Sequence, residues 1–129
     1  MTLPWANVLL PLLIPSREWE PKNEAQAKYW TTSYPSQAVF PMQALVEYVR
    51  DLDTTKLTTP ALFIYNEGDD VIDAKRVDAF YEGLTGPKQK ILAQVKPGED
   101  AHVLAGAIVS PSQTEPLKTQ ILQFVTTPR

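Results

Sequence analysis

A short apolar run in the middle of the chain, from Leu62 to Tyr65, constrains the fold more than any other stretch. Its residues favour strands, and a proline before it and a glycine after it mark its ends. Because the run is apolar on both faces, it predicts a strand covered on both sides, as in a parallel sheet. Chemistry in such sheets lies just beyond the carboxyl ends of the strands, where this sequence places Asp69 and Asp70.

The composition is typical of a globular protein, with 129 residues, 43% apolar residues and 21% charged residues. A net charge of -3 gives no reason to expect a nucleic acid or an acidic membrane surface as partner. The chain has no cysteine, which excludes disulfides, a thiol nucleophile and cysteine-based metal sites. We therefore expect a protein of a reducing compartment, the cytoplasm.

The first part of the chain, residues 1–53, predicts a lid or packing segment followed by a helix over 42–52. Its apolar start, residues 1–16, is broken by prolines, lacks the basic residues of a signal peptide and is too short to span a bilayer. This start packs either on the chain's own core or on something N-terminal to it. The aromatic residues over 29–34 indicate either the wall of a site or ordinary packing.

The second part, residues 54–129, predicts a β-α-β-α order, and we expect both parts to form a single domain. After the first strand come a helix over 74–84, a strand over 89–96 and a helix over 115–125. Alternating strands and helices favour a parallel α/β sheet. Because two strands make a thin sheet, we expect another segment to complete it or the open edges to self-associate.

The chain's single histidine, His102, follows the second predicted strand as Asp69 follows the first. The carboxyl ends of neighbouring parallel strands lie about 5 Å apart at one edge of the sheet. We therefore expect the Asp69 carboxylate within hydrogen-bond reach of a His102 ring nitrogen. A carboxylate on one imidazole nitrogen fixes the tautomer and leaves the other nitrogen free to act as a base.

These residues resemble the C-terminal part of serine esterases and lipases of the α/β-hydrolase superfamily. The strand Pro60–Ile64 and the turn Asp69–Ile72 match the family's acid-bearing strand. In that strand, one residue separates the acid from the apolar pair that follows it. The run His102–Gly106 matches its histidine turn, and Ile121–Val125 matches the end of its closing helix. The match covers roughly residues 55–126.

The resemblance implies a partial parallel sheet of the α/β-hydrolase type, with Asp69 and His102 as catalytic residues. It implies hydrolysis of carboxylic esters or similar acyl substrates, with no cofactor and no metal. The family's nucleophile lies in a Gly-x-Ser-x-Gly turn upstream of the acid, and no such pentapeptide occurs in this sequence. We therefore expect the C-terminal portion of a serine hydrolase, inactive alone because the nucleophile half is absent.

Two other interpretations stay open on the sequence alone. The chain could be a non-catalytic α/β binding or dimerisation module that keeps the sheet without the chemistry. Alternatively, four acidic residues after the first strand could hold Mg²⁺, although their spacing does not match an EF-hand loop and the histidine would be unexplained. Those residues are Glu67, Asp69, Asp70 and Asp73.

Overall fold

The computed structural model describes residues 13–127, which fall into two compact units divided between Leu52 and Asp53. The division lies one residue from the internal boundary that the sequence predicts. Most of the apolar start, residues 1–12, lies outside the described residues. Within residues 13–127, no helix has the length and apolar character needed to cross a membrane.

The first unit contains a small antiparallel sheet that the sequence did not predict. Strand β1 (Ser16–Glu18) pairs with β2 (Ser33–Pro35), with Ser16 opposite Pro35. Helix α1 (Glu24–Tyr29) connects them and is capped by Asn23, whose side chain accepts from the third helical backbone N–H. Both strands are three residues long and largely polar, so they lack the alternation that marks a strand in a sequence.

Helix α2 (Val39–Arg50) ends the first unit and begins three residues before its predicted start at Met42. Pro41 lies in its first turn, where a missing backbone N–H costs no intrahelical hydrogen bond. The helix is amphipathic as predicted. The side chains of its apolar stripe are exposed in the described structure: Met42, Leu45, Val46, Val49 and Leu52.

The second unit has the predicted parallel pair of strands. Strand β3 (Ala61–Tyr65) pairs with β4 (Lys88–Leu92), helix α3 (Ala74–Gly83) forms the crossover, and α4 (Thr114–Thr126) follows. With the antiparallel pair of the first unit, the chain is of mixed α/β class, which confirms the predicted class in this coarse form. The side chain of Asp73 accepts from the Lys75 backbone N–H and caps α3.

Aromatic contacts and one shared carboxylate hold α3 against the two strands. The ring of Phe63 meets the ring of Tyr81 edge-on, with centroids 5.5 Å apart. The buried Tyr65 hydroxyl donates to Asp78 Oδ1 at 2.5 Å, and Lys90 Nζ donates to the same oxygen at 2.6 Å. Residues of β3, α3 and β4 therefore meet at one carboxylate. Its hydrogen bond raises the pKa of the Tyr65 hydroxyl.

The strands differ from their prediction in burial and in length. Tyr65 is buried, but Leu62, Phe63 and Ile64 are only half-buried, so the expectation of cover on both faces is wrong for them. Strand β4 ends at Leu92 instead of continuing to Lys96, because its partner β3 ends at Tyr65, the residue that pairs with Leu92. The buried apolar residues of this unit are Tyr65, Leu84, Ala93, Val109 and Leu117.

Candidate active site: an aspartate–histidine pair beyond two parallel strands

The acid lies in a tight turn directly after β3. The backbone N–H of Asp69 donates to the carbonyl of Asn66 at 3.2 Å and closes the turn. Asp69 Oδ1 then accepts from the backbone N–H groups of Val71 at 2.8 Å and Ile72 at 3.1 Å. Aspartate commonly holds its own backbone in this way. Because these bonds occupy Oδ1, the carboxylate has a fixed orientation and presents its other oxygen, Oδ2.

The base lies in the segment after β4, residues 93–110, which we call the histidine loop. The backbone N–H of His102 donates to Asp100 Oδ1 at 2.8 Å, and that of Val103 donates to the same oxygen at 2.9 Å. Asp100 therefore holds the backbone of the histidine as Asp69 holds its own turn. A side chain on a loop is directed only as well as its backbone is fixed, and here a carboxylate fixes it.

The two side chains meet, as the sequence predicts. His102 Nδ1 lies 2.9 Å from Asp69 Oδ2, a hydrogen-bond distance. The Asp69 side chain is 3% exposed and that of His102 is 42% exposed, so the acid is inside and the imidazole reaches solvent. In the part of the chain that the structure describes, Nε2 of the ring makes no hydrogen bond. The ring is thus held at one nitrogen and accessible at the other.

The surroundings of Asp69 favour its charged form. Burial acts to raise its pKa, but the hydrogen bonds from His102 and from the backbone of Val71 and Ile72 outweigh burial and lower the pKa below its ordinary value. A carboxylate that stays ionised accepts from Nδ1–H of a neutral imidazole and stabilises the imidazolium after protonation. The pair therefore has the electrostatic arrangement of an acid–base relay.

Further hydrogen bonds join the carboxyl ends of β3 and β4, the strands that precede Asp69 and His102. The backbone N–H of Ala93 donates to the carbonyl of Tyr65 at 2.8 Å, which continues the ladder for one step past β4. The Asn66 side chain donates through Nδ2 to the carbonyl of Ala93 at 2.6 Å. Its Oδ1 accepts from the Gly68 backbone N–H at 2.7 Å. One amide side chain therefore joins the acidic turn to the start of the histidine loop.

The other acidic residues of the turn are not gathered with this pair. Glu67 and Asp70 are exposed, and Asp73 faces the start of α3, where it also pairs with Arg76. Across residues 13–127, no group of three or more carboxylate and imidazole side chains is arranged to hold a metal ion. The geometry therefore gives the magnesium interpretation no support.

The serines of the second unit are already engaged in structure. Ser110 is 0% exposed, and its hydroxyl donates to the backbone carbonyl of Asp100 at 2.9 Å. Ser112 and Glu115 have the spacing of a helix capping box, but the Ser112 hydroxyl donates to the Glu99 carboxylate. Both hydroxyls therefore donate to groups other than His102.

Sequence reasoning did not identify Asp100 and Ser110 as residues of this site. The Asp100-Ala101-His102 spacing carries a signal, because an aspartate commonly accepts from the backbone N–H two residues later. Ser110 carries no such signal. Its partner lies ten positions away in an irregular loop, beyond the reach of local periodicity.

No family model matches this sequence, and neither the curated proteins nor the solved structures gave a match to the chain. The motifs and the geometry of the site therefore carry the functional argument.

Proposed function

We propose that this chain carries the acid and the base of a serine hydrolase of the α/β-hydrolase type that acts on carboxylic esters or similar acyl substrates. One observation carries the proposal: Asp69 Oδ2 lies 2.9 Å from Nδ1 of His102, just beyond two neighbouring parallel strands. The accessible Nε2 supports the same role, since a general base needs a free nitrogen facing its substrate.

In the proposed reaction, Asp69 holds His102 with its proton on Nδ1. Nε2 accepts the proton of a serine hydroxyl while the serine oxygen attacks the acyl carbon. The resulting imidazolium is stabilised by Asp69 and returns the proton from Nε2 to the leaving alkoxide. Water then attacks the acyl-serine by the same route and releases the carboxylic acid.

The serine and the oxyanion-binding groups are proposed to come from residues outside these 129. The sequence contains no Gly-x-Ser-x-Gly turn, and Ser110 and Ser112 already bond within the second unit. Both missing parts supply most of the rate in such enzymes. The chain alone should therefore give no turnover of a p-nitrophenyl ester.

The test reads the coding sequence upstream of Met1 and expresses the longer protein. We expect a Gly-x-Ser-x-Gly pentapeptide and labelling of its serine by a fluorophosphonate probe. Labelling should fall at least about 100-fold in His102→Ala, because base catalysis commonly contributes that much. Asp70→Asn removes a charge one residue from the acid and should label normally. An upstream sequence without the pentapeptide, or labelling that is indifferent to His102, would refute the proposal.

A second candidate, a non-catalytic binding or dimerisation module, is favoured by the open edges of the parallel sheet. Within the described residues, β3 and β4 pair only with each other, and Leu62, Phe63 and Ile64 of β3 are half-buried. An unpaired edge is a template for another strand. Sedimentation equilibrium of the 129-residue chain tests this candidate: a concentration-dependent dimer supports it, and a monomer at all concentrations excludes self-association as its role.

A further inference from the structure

We propose that Ser110 and Asp100 are positioning residues that hold the His102 imidazole against Asp69. This inference concerns the proposed hydrolase site and rests on that proposed function for its catalytic meaning. Its structural content, the orientation of the ring, stands on the contacts of the histidine loop alone.

The first link joins Asp100 to the histidine. Both backbone N–H groups that flank the His102 α-carbon, those of His102 and Val103, donate to Asp100 Oδ1. These two bonds fix the peptide planes on either side of the α-carbon and so fix the direction in which the side chain leaves the backbone. Val103 and its neighbours are in no helix or strand that could do so.

The second link joins Asp100 to Ser110. The Ser110 hydroxyl accepts from the Asp100 backbone N–H at 3.1 Å and donates to the Asp100 carbonyl at 2.9 Å. One buried hydroxyl thus bonds both backbone groups of the residue that holds the histidine, and the same N–H also donates to the Val109 carbonyl at 3.2 Å. Without it, the carbonyl of the half-buried Asp100 loses the bond from Ser110, which lowers stability when the carbonyl is shielded from water.

The third link anchors Ser110 itself. Its backbone N–H donates to the carbonyl of Gly106 at 3.2 Å, and the Gly106 N–H donates to Thr114 Oγ1 at 2.9 Å. Gly106 has a φ of 113°, a backbone conformation that suits glycine. Thr114 is the first residue of α4. A continuous set of hydrogen bonds therefore runs from the start of a helix to the backbone of His102.

The single histidine of the chain makes this inference measurable without any activity. Nitrogen-15 NMR of the imidazole reports which ring nitrogen carries the proton in the neutral form. The contact with Asp69 favours the Nδ1–H tautomer in the wild-type chain. Variants that release the ring should shift the two nitrogen resonances toward those of histidine in an unstructured peptide.

We expect Ser110→Ala and Asp100→Ala to lower the Nδ1–H population at least about twofold. Ser112→Ala is the matched control, because it removes a hydroxyl bond in the same region that does not involve Asp100. Asp100→Asn retains an oxygen that accepts from both backbone N–H groups and should restore most of the wild-type signal. Circular dichroism of each variant establishes that it is folded.

A folded Ser110→Ala with wild-type nitrogen resonances would overturn the inference, as would a Ser112→Ala that shifts them equally. If Ser110→Ala does not fold, the comparison of Asp100→Ala with Asp100→Asn decides, and identical spectra for those two variants refute the positioning role. This readout is independent of the nucleophile. The variants could shift the tautomer population while fluorophosphonates fail to label the longer protein. That outcome would support the positioning role and refute the proposed hydrolase function.

Discussion

The side-chain amide of Asn66 donates to the carbonyl of Ala93 across the ends of two parallel strands, at 2.6 Å. The same side chain accepts from the Gly68 backbone within the acidic turn. Asn66 therefore connects the segment that carries Asp69 to the segment that carries His102. Its position directly after β3 makes it the first residue at which the two loops could separate.

We expect Asn66→Ala to reduce the free energy of unfolding by about 1–3 kcal/mol, because the carbonyl of the buried Ala93 loses a donor and the acidic turn loses an acceptor. The loss should also lower the Nδ1–H tautomer population of His102. Urea denaturation and imidazole NMR measure the two effects. Gln43→Ala removes an amide whose bond to Glu47 lies on an exposed helix surface, and it should change stability by less than about 0.5 kcal/mol.

Stability at low pH should depend on Asp69. Because hydrogen bonds hold its pKa in the folded protein below the ordinary value of 3.8, its ionised form stabilises the fold above that value. This contribution is lost as the pH falls through the lower pKa of the folded state. Urea midpoints measured from neutral pH down to about pH 3 should decline less steeply in Asp69→Asn than in wild type.

Other carboxylates, including Asp78 and Glu99, also have lowered pKa values and contribute to the same acid decline. The informative quantity is therefore the difference between variants. Asp70→Asn removes an equal charge one residue from Asp69 and should keep the wild-type slope. Equal slopes for Asp69→Asn and wild type would contradict the hydrogen-bonded arrangement of the acid.

The buried hydroxyl of Tyr65 should matter more than an exposed one. Tyr65→Phe removes a hydrogen bond to the charged Asp78, and we expect a loss of about 1.5–3 kcal/mol in unfolding free energy. Because Asp78 raises the Tyr65 pKa, the wild type should also lose stability above about pH 10 that the variant does not lose. Tyr48, which is 65% exposed, provides the control: Tyr48→Phe should be nearly neutral at pH 7.

Gly86 marks a close approach of two backbone segments before β4. A β-carbon at this position would lie 2.8 Å from the carbonyl carbon and oxygen of Thr58, which are backbone atoms and cannot rotate away. We expect Gly86→Ala to lower the free energy of unfolding by about 1–3 kcal/mol. At Gly83 the nearest atom is a side-chain hydroxyl, that of Thr54, so Gly83→Ala should be close to neutral. Thermal denaturation compares the two variants.

The sequence was most informative where a periodic pattern and a stop signal coincided. The run before Asp69 and the stripe that follows Asp73 predicted β3 and α3 to within one residue at each end. The meeting of Asp69 and His102 was predictable because parallel strands end at the same edge. This prediction did not require the conformation of the loops that carry the two residues. Their catalytic role stays a prediction.

The rest depended on contacts that no local pattern encodes. Strands β1 and β2 are short, polar pieces, and their pairing is set by tertiary context. Ser112 matched a helix-capping pattern, but the Glu99 carboxylate competes for its hydroxyl. The burial of Ser110 arises from a loop closing on itself. Such non-local polar contacts position the histidine and are invisible to hydrophobic periodicity.

The paired use of Oδ1 by Asp69 and Asp100 has a consequence for the entropy of the site. In each residue one carboxylate oxygen accepts from two backbone N–H groups, so rotation of the carboxylate would break both bonds together. The acid and the imidazole therefore lose most of their orientational freedom when the chain folds. In the proposed hydrolase, a hydroxyl group that approaches Nε2 would meet a base that needs little reorientation, and the barrier to proton transfer would be lower by that amount.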